Sequence, residues 1–241
     1  MRVTENTFVL SGGWFSAGDY RAQGAIYGFR TPEGLVLVDC GLPDDGMVIL
    51  NESLAYEGIT EKVTHVLVTH SHVDHCGNAK YFQDRGAKII VGKPDLDNCL
   101  KGGFNMFRDT QYDEGFYHYF PAFTPDVLIE KDCEMTINGI RFEFIMIPGH
   151  TPGSLAIIAD FEGKRMMFTG DSIYPMGELC EKVSLGWHGD PNYSASDFVQ
   201  SMIKLVKYDV DMILPGHGNI CVRNGTNVLR HAAKEAFTTL R

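Results

Sequence analysis

The sequence predicts an α/β fold in which two β-sheets pack face to face with helices on the outside. Three observations lead there. Strand-like runs fall into two groups, each accompanied by helical patterns. Between Gly34 and Gly92 the order is strand, helix, strand, helix, strand, which reads as parallel β-loop-α-β units. No linker interrupts the chain, so residues 1–241 are read as one domain, carrying an aromatic-rich insert at about 102–126.

The elements follow in order. "AIYGFR" (Ala25–Arg30) and "GLVLVDCG" (Gly34–Gly41) are apolar, β-rich runs. Pro43 and Asp44 mark the start of a helix that extends to about Tyr56. "VTHVLVT" (Val63–Thr69) is a strand, "GNAKYFQDRG" a short helix closed by Gly86, and "AKIIVG" (Ala87–Gly92) a further strand. The stretch Gly102–Asp126 fits neither period and is crowded with Phe104, Phe107, Tyr112, Phe116, Tyr117, Tyr119, Phe120 and Phe123. It is read either as a substrate wall or lid, or as a packing element. After it come "VLIE", a hairpin at Asn138-Gly139, and "IRFEFIMI" (Ile140–Ile147). "SLAIIAD", a turn at "FEGK" and "RMMFTGD" (Arg165–Asp171) complete the second group of strands. The stretch Pro175–Tyr193 reads as a loop. A capping box at Ser194 and Asp197 opens a helix to about Tyr208. "DMILPGHG" is a last strand and loop, and "NVLRHAAKEAF" a final helix.

A net charge of -10 without any run of Lys or Arg argues against nucleic acid and anionic membranes as partners. The expected partner is a small-molecule substrate, with a homodimer left open. There is no apolar run of signal-peptide length and no apolar stretch of 18 residues. The six cysteines form no C-x-x-C pair, so they read as reduced thiols, and the expected location is cytoplasmic. Cys76, next to His75, reads as a small buried apolar residue.

Chemistry concentrates at "VTHVLVTHSHVDHCGN", where His70, His72, Asp74 and His75 fall within six residues. His70 and His72 are two apart, so on extended backbone their rings point the same way. Asp74 and His75 lie on the turn into the next helix and face a second point. "IPGHTPGS" places His150 after a strand, "MMFTGDS" places Asp171 after another, and "ILPGHGN" places His217 after a third. A single histidine after a strand is usually a surface residue. The same order of apolar strand, glycine and ligand-type residue, repeated through the chain, is read as a metal site.

"HSHVDH", "GHTPGS", "TGD" and "PGHG", in that order, resemble the metallo-β-lactamase superfamily from about Leu35 to Gly218. The resemblance implies a four-layer αββα sandwich of two mixed β-sheets flanked by helices, with a metal site at one edge. It implies that His70, His72 and His150 hold one divalent ion and that Asp74, His75 and His217 hold a second. Asp171 would bridge both, and Asp39 would lie behind the ligands. Zinc is the expected metal, with iron or manganese open.

The implied chemistry is hydrolysis by a metal-bridging hydroxide that opens a lactone or cleaves a small carboxylic ester. Asp74 is the candidate proton shuttle. Tyr174, three residues beyond Asp171, is either a packed aromatic or a donor to the developing oxyanion; lactonases of the superfamily carry a tyrosine at this offset. Trp187 is a candidate substrate contact, while His188 and His118 read as solvated, and His65 and His231 as structural.

Asp171 stands where zinc β-lactamases use cysteine or lack a bridging carboxylate, which disfavours antibiotic hydrolysis. A glyoxalase II-type thioesterase would carry a helical domain after the last ligand, and only Gly218–Arg241 follow His217. RNA-processing members need basic surfaces, and flavo-diiron members a second domain. An iron-dependent oxidoreductase resembling sulfur dioxygenases remains an alternative, and a non-catalytic metal-binding protein a third class.

Overall fold

The run GLVLV is apolar at every position, and all five residues are buried. A strand of this kind must be covered on both faces. In the computed structural model, which describes residues 1–12, 23–105 and 117–240, it lies inside a sheet with helices on one side and a second sheet on the other.

In chain order the structure begins with β1 (Thr7–Ser11), β2 (Ile26–Thr31), β3 (Gly34–Val38), α1 (Asp45–Tyr56) and β4 (Val63–Leu67). Next come α2 (Val73–Cys76), α3 (Ala79–Gln83), β5 (Lys88–Gly92), a 3₁₀ turn (Lys93–Asp95) and α4 (Leu96–Lys101). Then follow β6 (Gly103–Asn105), β7 (Tyr117–Tyr119), β8 (Val127–Ile129), β9 (Cys133–Ile137), β10 (Ile140–Met146), β11 (Leu155–Phe161) and β12 (Lys164–Gly170). The chain ends with β13 (Ile173–Met176), β14 (Lys182–Leu185), α5 (Ala195–Leu205), β15 (Met212–Pro215) and α6 (Gly225–Thr239).

The first sheet runs β1-β2-β3-β4-β5-β8 and is parallel from β3 onward. The second runs β15-β12-β11-β10-β9 and is antiparallel except for the β12–β15 pair. Both are mixed, as expected. Three apolar clusters separate the layers. Leu35 and Leu37 belong to a cluster with residues of α1–α4, whereas Val36 and Val38 meet Phe142, Phe144 and Phe168 of the second sheet. On the far side, Ile145, Ile158 and Met167 pack with Phe198, Met202 and Leu229 of α5 and α6. Alternate residues of one strand thus serve two layers.

Some boundaries differ from the sequence reading. β3 stops at Val38 because Asp39 adopts φ 59 and turns the chain. The expected loop Pro175–Tyr193 is corrected: β13 and β14 pair antiparallel there, and Ile173, Val183 and Leu185 rest on the cluster beneath α5 and α6. The Ser194 hydroxyl accepts from the Asp197 N–H at 3.3 Å, and the helix it opens ends at Leu205 rather than Tyr208. In the expected insert, Phe120 and Phe123 are buried in the core beside Cys99, so part of the aromatic crowding is packing. Phe107, Tyr112 and Phe116 lie outside the described residues, as do the side chains of Phe104, Tyr117 and His118. Among the described residues no helix is long and apolar enough to cross a membrane.

Candidate metal centre

The loops after β4, β10, β12 and β15 all leave the sandwich at one edge, next to the carboxyl ends of the parallel strands, where α/β sheets bind ligands. His70 and His72 follow β4 on the chain leading into α2, with His72 extended at φ -74, ψ 151. The four-residue helix α2 then swings Asp74 and His75 toward a second point.

Two ligand groups result. His70, His72, His150 and Asp171 form one, all buried; Asp74, His75, Asp171 and His217 form the other. In the first, His70 Nε2, His72 Nδ1 and His150 Nε2 form a triangle with sides of 3.0, 3.1 and 3.2 Å. A tetrahedral ion with metal–nitrogen bonds of about 2.0–2.1 Å has ligand–ligand edges of about 3.3–3.4 Å, so the triangle is close to a ligating arrangement. Asp171 lies between the groups: Oδ1 is 3.1 Å from His75 Nε2, while Oδ2 is 3.4 Å from His217 Nε2 and 3.8 Å from His150 Nε2. Asp74 Oδ2 lies 2.9 Å from His217 Nε2 and 3.3 Å from His75 Nε2.

Whether these groups fit a cation is decided by the outward nitrogens. The Thr69 hydroxyl donates to Asp39 Oδ2 at 2.8 Å, so at 3.1 Å it accepts from His70 Nδ1–H. His150 Nδ1–H donates to the Trp187 carbonyl at 2.9 Å, and His72 Nε2–H to Asp190 Oδ2 at 2.8 Å. His75 Nδ1–H donates to Asp39 Oδ2 at 2.7 Å. These partners assign the tautomers. Three neutral imidazoles of the first group then aim lone pairs at each other, which no hydrogen bond among them can satisfy and a divalent cation can. Among the described residues, buried His75 Nε2 and Asp171 Oδ1 make no hydrogen bond of good geometry although they lie 3.1 Å apart. The donor set fits two divalent ions.

Electrostatics separates the groups. Burial, reinforced by neighbouring imidazoles, holds His70 well below its ordinary pKa, and burial pushes His150 down to about 4. Burial opposes charge on His75 and His217 as well, but the carboxylates outweigh it: His75 is held well above its ordinary value and His217 is pushed up to about 10. Burial also acts against ionised Asp74 and Asp171, and the adjoining imidazoles overcome it, leaving both well below the carboxylate range. Gly216 makes the close approach possible. A Cβ there would lie 2.2 Å from Asp171 Oδ1 and 2.7 Å from His75 Cε1.

Every residue expected to ligate is therefore brought to one place, and Asp39 stands behind His75 as the resemblance implied. Tyr174 lies on β13, buried, with its ring 5.8 Å from that of His217. Burial, the Asp171 charge and a hydrogen bond to Asp171 raise its phenol well above the usual value. Trp187 is partly exposed, with its ring 6.1 Å from that of His72, and His188 stacks on Tyr193 at 4.6 Å. His65 lies in β4 and His231 on α6, and Cys76 is fully buried. Asp190 and Thr69 were missed. Asp190 follows a glycine in "WHGDP", the same local order as the ligands, and that signal was available. The role of Thr69 depends on the pairing of β3 with β4 and has no local signature.

Fold and site together define an αββα protein with two adjoining His/Asp groups suited to divalent metals. The metallo-β-lactamase superfamily pattern matches residues 20–217, and the chain belongs to that superfamily. Among its relatives is the probable metallo-hydrolase YflN of Bacillus subtilis (strain 168), 26% identical over 213 residues, 78% of this chain and 76% of that protein. Another is the hydroxyacylglutathione hydrolase GloC of Haemophilus influenzae, 29% identical over 157 residues, 64% of this chain and 68% of that protein. A metallo-β-lactamase of Cronobacter sakazakii, described as a HARLDQ-motif mutant, shares the fold with a TM-score of 0.73 at 16% identity, covering 99% of this chain and 92% of that one.

Proposed function

We propose that this chain is a dinuclear metal-dependent hydrolase that opens a lactone or cleaves a small carboxylic ester. The observation that carries the reading is Asp171, shared by both ligand groups and hydrogen-bonded to the buried Tyr174. His70, His72 and His150 would hold one ion, Asp74, His75 and His217 the other, and Asp171 both. Two divalent ions held there supply Lewis acidity and a water whose pKa falls towards about 7.

The chain's own groups do the rest. Asp39, Asp190, Thr69 and the Trp187 carbonyl keep each imidazole in the tautomer that faces inward. His75 and His217 both contact Asp74 through Oδ2; Oδ1 would take up the proton released by the attacking water and hand it to the leaving group. Tyr174 remains protonated at neutral pH, so rotation of its hydroxyl away from Asp171 offers a hydrogen bond to the oxyanion. Trp187 supplies an apolar flank beside His72.

A thioesterase is the second reading, favoured by the likeness to GloC. That relative is of similar size, since 157 aligned residues make up 68% of it. Thioester cleavage therefore does not require a chain much longer than this one.

The experiment is acid release by zinc-reconstituted protein against acyl-homoserine and simple lactones, aryl esters, S-acyl glutathione, a β-lactam and a phosphodiester. Selective lactone or ester cleavage, falling about 100-fold in Tyr174→Phe, supports the first reading. A higher kcat/KM for S-acyl glutathione replaces it with the second. Inactivity across the panel, with iron in the protein as isolated, overturns both.

A further inference from the structure

We infer that Asp95 is a positioning residue for the first ligand group, clamping together the two loops that carry its three histidines. The inference rests on reading that group as a metal site. Asp95 ends the 3₁₀ turn after β5 and is only 1% exposed. Its Oδ2 accepts from the Ser71 N–H and from the Thr151 hydroxyl, both at 2.9 Å. Its Oδ1 accepts from the Gly153 N–H at 2.7 Å. Ser71 stands between His70 and His72, and Thr151 directly follows His150. One carboxylate therefore ties a loop of the first sheet to a loop of the second, at the residues that adjoin the ligands.

The surroundings are shaped to this contact. Asn98, three residues further along the chain, donates from Nδ2 to Ser71 Oγ at 3.1 Å and secures the same turn. Gly153 approaches so closely that a Cβ there would lie 2.5 Å from the Asp95 carboxyl carbon. No Lys or Arg forms an ion pair with Asp95 among the described residues, and burial raises its pKa. A buried carboxylate without a countercharge is costly to keep unless its hydrogen bonds do something an amide cannot. Here three donors converge on two oxygens, and an asparagine would turn an NH2 toward at least one of them. The sheets are also joined close by through Leu155 N–H to Thr69 O at 2.8 Å, so the sandwich does not depend on Asp95 to close. What Asp95 adds is the placement of Ser71 and Thr151, and through them the separation of His70 and His72 from His150.

The test is zinc affinity of the full-length protein by chelator competition, together with Tm after chelator treatment. Asp95→Asn is compared with Asp126→Asn, because Asp126 accepts from the Ile89 N–H and Gln83 Nε2 at the start of β5, away from the ligand loops. The expected result is that Asp95→Asn weakens one of two zinc ions by about 10- to 100-fold, while Asp126→Asn lowers Tm and leaves both affinities alone. If Asp95→Asn keeps both affinities and only lowers Tm, Asp95 is structural and the inference fails. Should Asp95→Asn not fold, Thr151→Val, which removes one of the three donors, decides by the same measurement: weaker zinc supports the clamp, unchanged zinc overturns it. Wild-type protein that binds no zinc overturns the metal reading itself, a result distinct from parental affinity in the variants.

Discussion

His150 and His217 lie on either side of Asp171, one pushed down to a pKa of about 4 and the other up to about 10. Both are buried, and burial alone would lower both. The difference comes from their company. His150 meets His70 and His72, whereas His217 meets the carboxylates of Asp74 and Asp171. His70 and His150 are therefore held deprotonated at neutral pH and ready for a cation. A mixed group holds its imidazoles as half of an ion pair, so a cation must displace protons to enter. The two halves of one centre therefore differ in what competes with the metal.

The largest effect should come from the residue both halves share. Asp171→Ala removes a ligand from each group, and activity should fall to background with both zinc affinities reduced. His72→Ala and His217→Ala should each lose one ion, the first from the imidazole half and the second from the carboxylate half. Metal content per chain, measured by atomic emission, checks all three. If Asp171→Ala keeps either ion at parental affinity, Asp171 does not bridge.

The pH dependence sharpens the contrast. For His150 the folded pKa is depressed, so in chelator-treated protein its contribution to stability is present above about 6.5 and is lost as pH falls towards 4, an effect of about 3 kcal/mol. For His217 the folded pKa is raised, so its contribution is complete below about 6.5 and is lost as pH rises through about 10. Chelator-treated protein should therefore lose stability on both sides of neutrality, read by urea unfolding. One zinc should bind with an affinity nearly independent of pH between 7 and 9, and the other should tighten about tenfold per pH unit for each proton displaced. Two zinc ions with the same pH dependence would break the distinction between the halves.

Much of this arrangement was legible in the sequence, and the reason is local. His70, His72, Asp74 and His75 are neighbours in the chain, and His150, Asp171 and His217 each sit at the end of an apolar strand beside glycine. The continuous apolar run "GLVLV" and the alternation that begins "IRFEFIMI" likewise announce strands buried on both faces and on one. What escaped depends on tertiary proximity. Asp190 reaches His72 across 118 positions, and Thr69 reaches Asp39 only because β3 and β4 pair in parallel. β13 and β14 were hidden because Pro175 within β13 and Gly177 and Glu178 after it read as loop, while a few apolar residues packed beneath α5 and α6 suffice to hold the pair.

The carboxylates behind each half give the next smaller effect. Asp190 Oδ1 accepts the Asn192 N–H at 2.6 Å while Oδ2 serves His72. In Asp190→Asn the amide oxygen can keep only one of these donors. If it keeps Asn192, an NH2 faces His72 Nε2 and the ring turns a proton, instead of a lone pair, toward its partners. The zinc of the imidazole half should weaken by about 10- to 100-fold. Asp39→Asn should act in the same way on the carboxylate half, through His75. Chelator competition separates them, and the comparison fails if each variant weakens both ions equally.

Thr69→Val gives the smallest effect and the finest test of how far the halves are independent. The Thr69 hydroxyl lies between them, donating to Asp39, which holds His75, and accepting from His70. Valine keeps the shape and removes only this link, while the backbone N–H of residue 69 still donates to Asp39 at 2.7 Å. His70 Nδ1–H then lacks an acceptor, and Asp39 loses one of three donors. A lost hydrogen bond of this kind is worth about 1 kcal/mol, or roughly a fivefold change in affinity. Because His70 loses its only partner on that side and His75 loses none, the zinc of the imidazole half should weaken by that amount and the other by less. Equal weakening of both would mean that Asp39 and Thr69 act as one unit, and the two halves would have to be treated as a single coupled site.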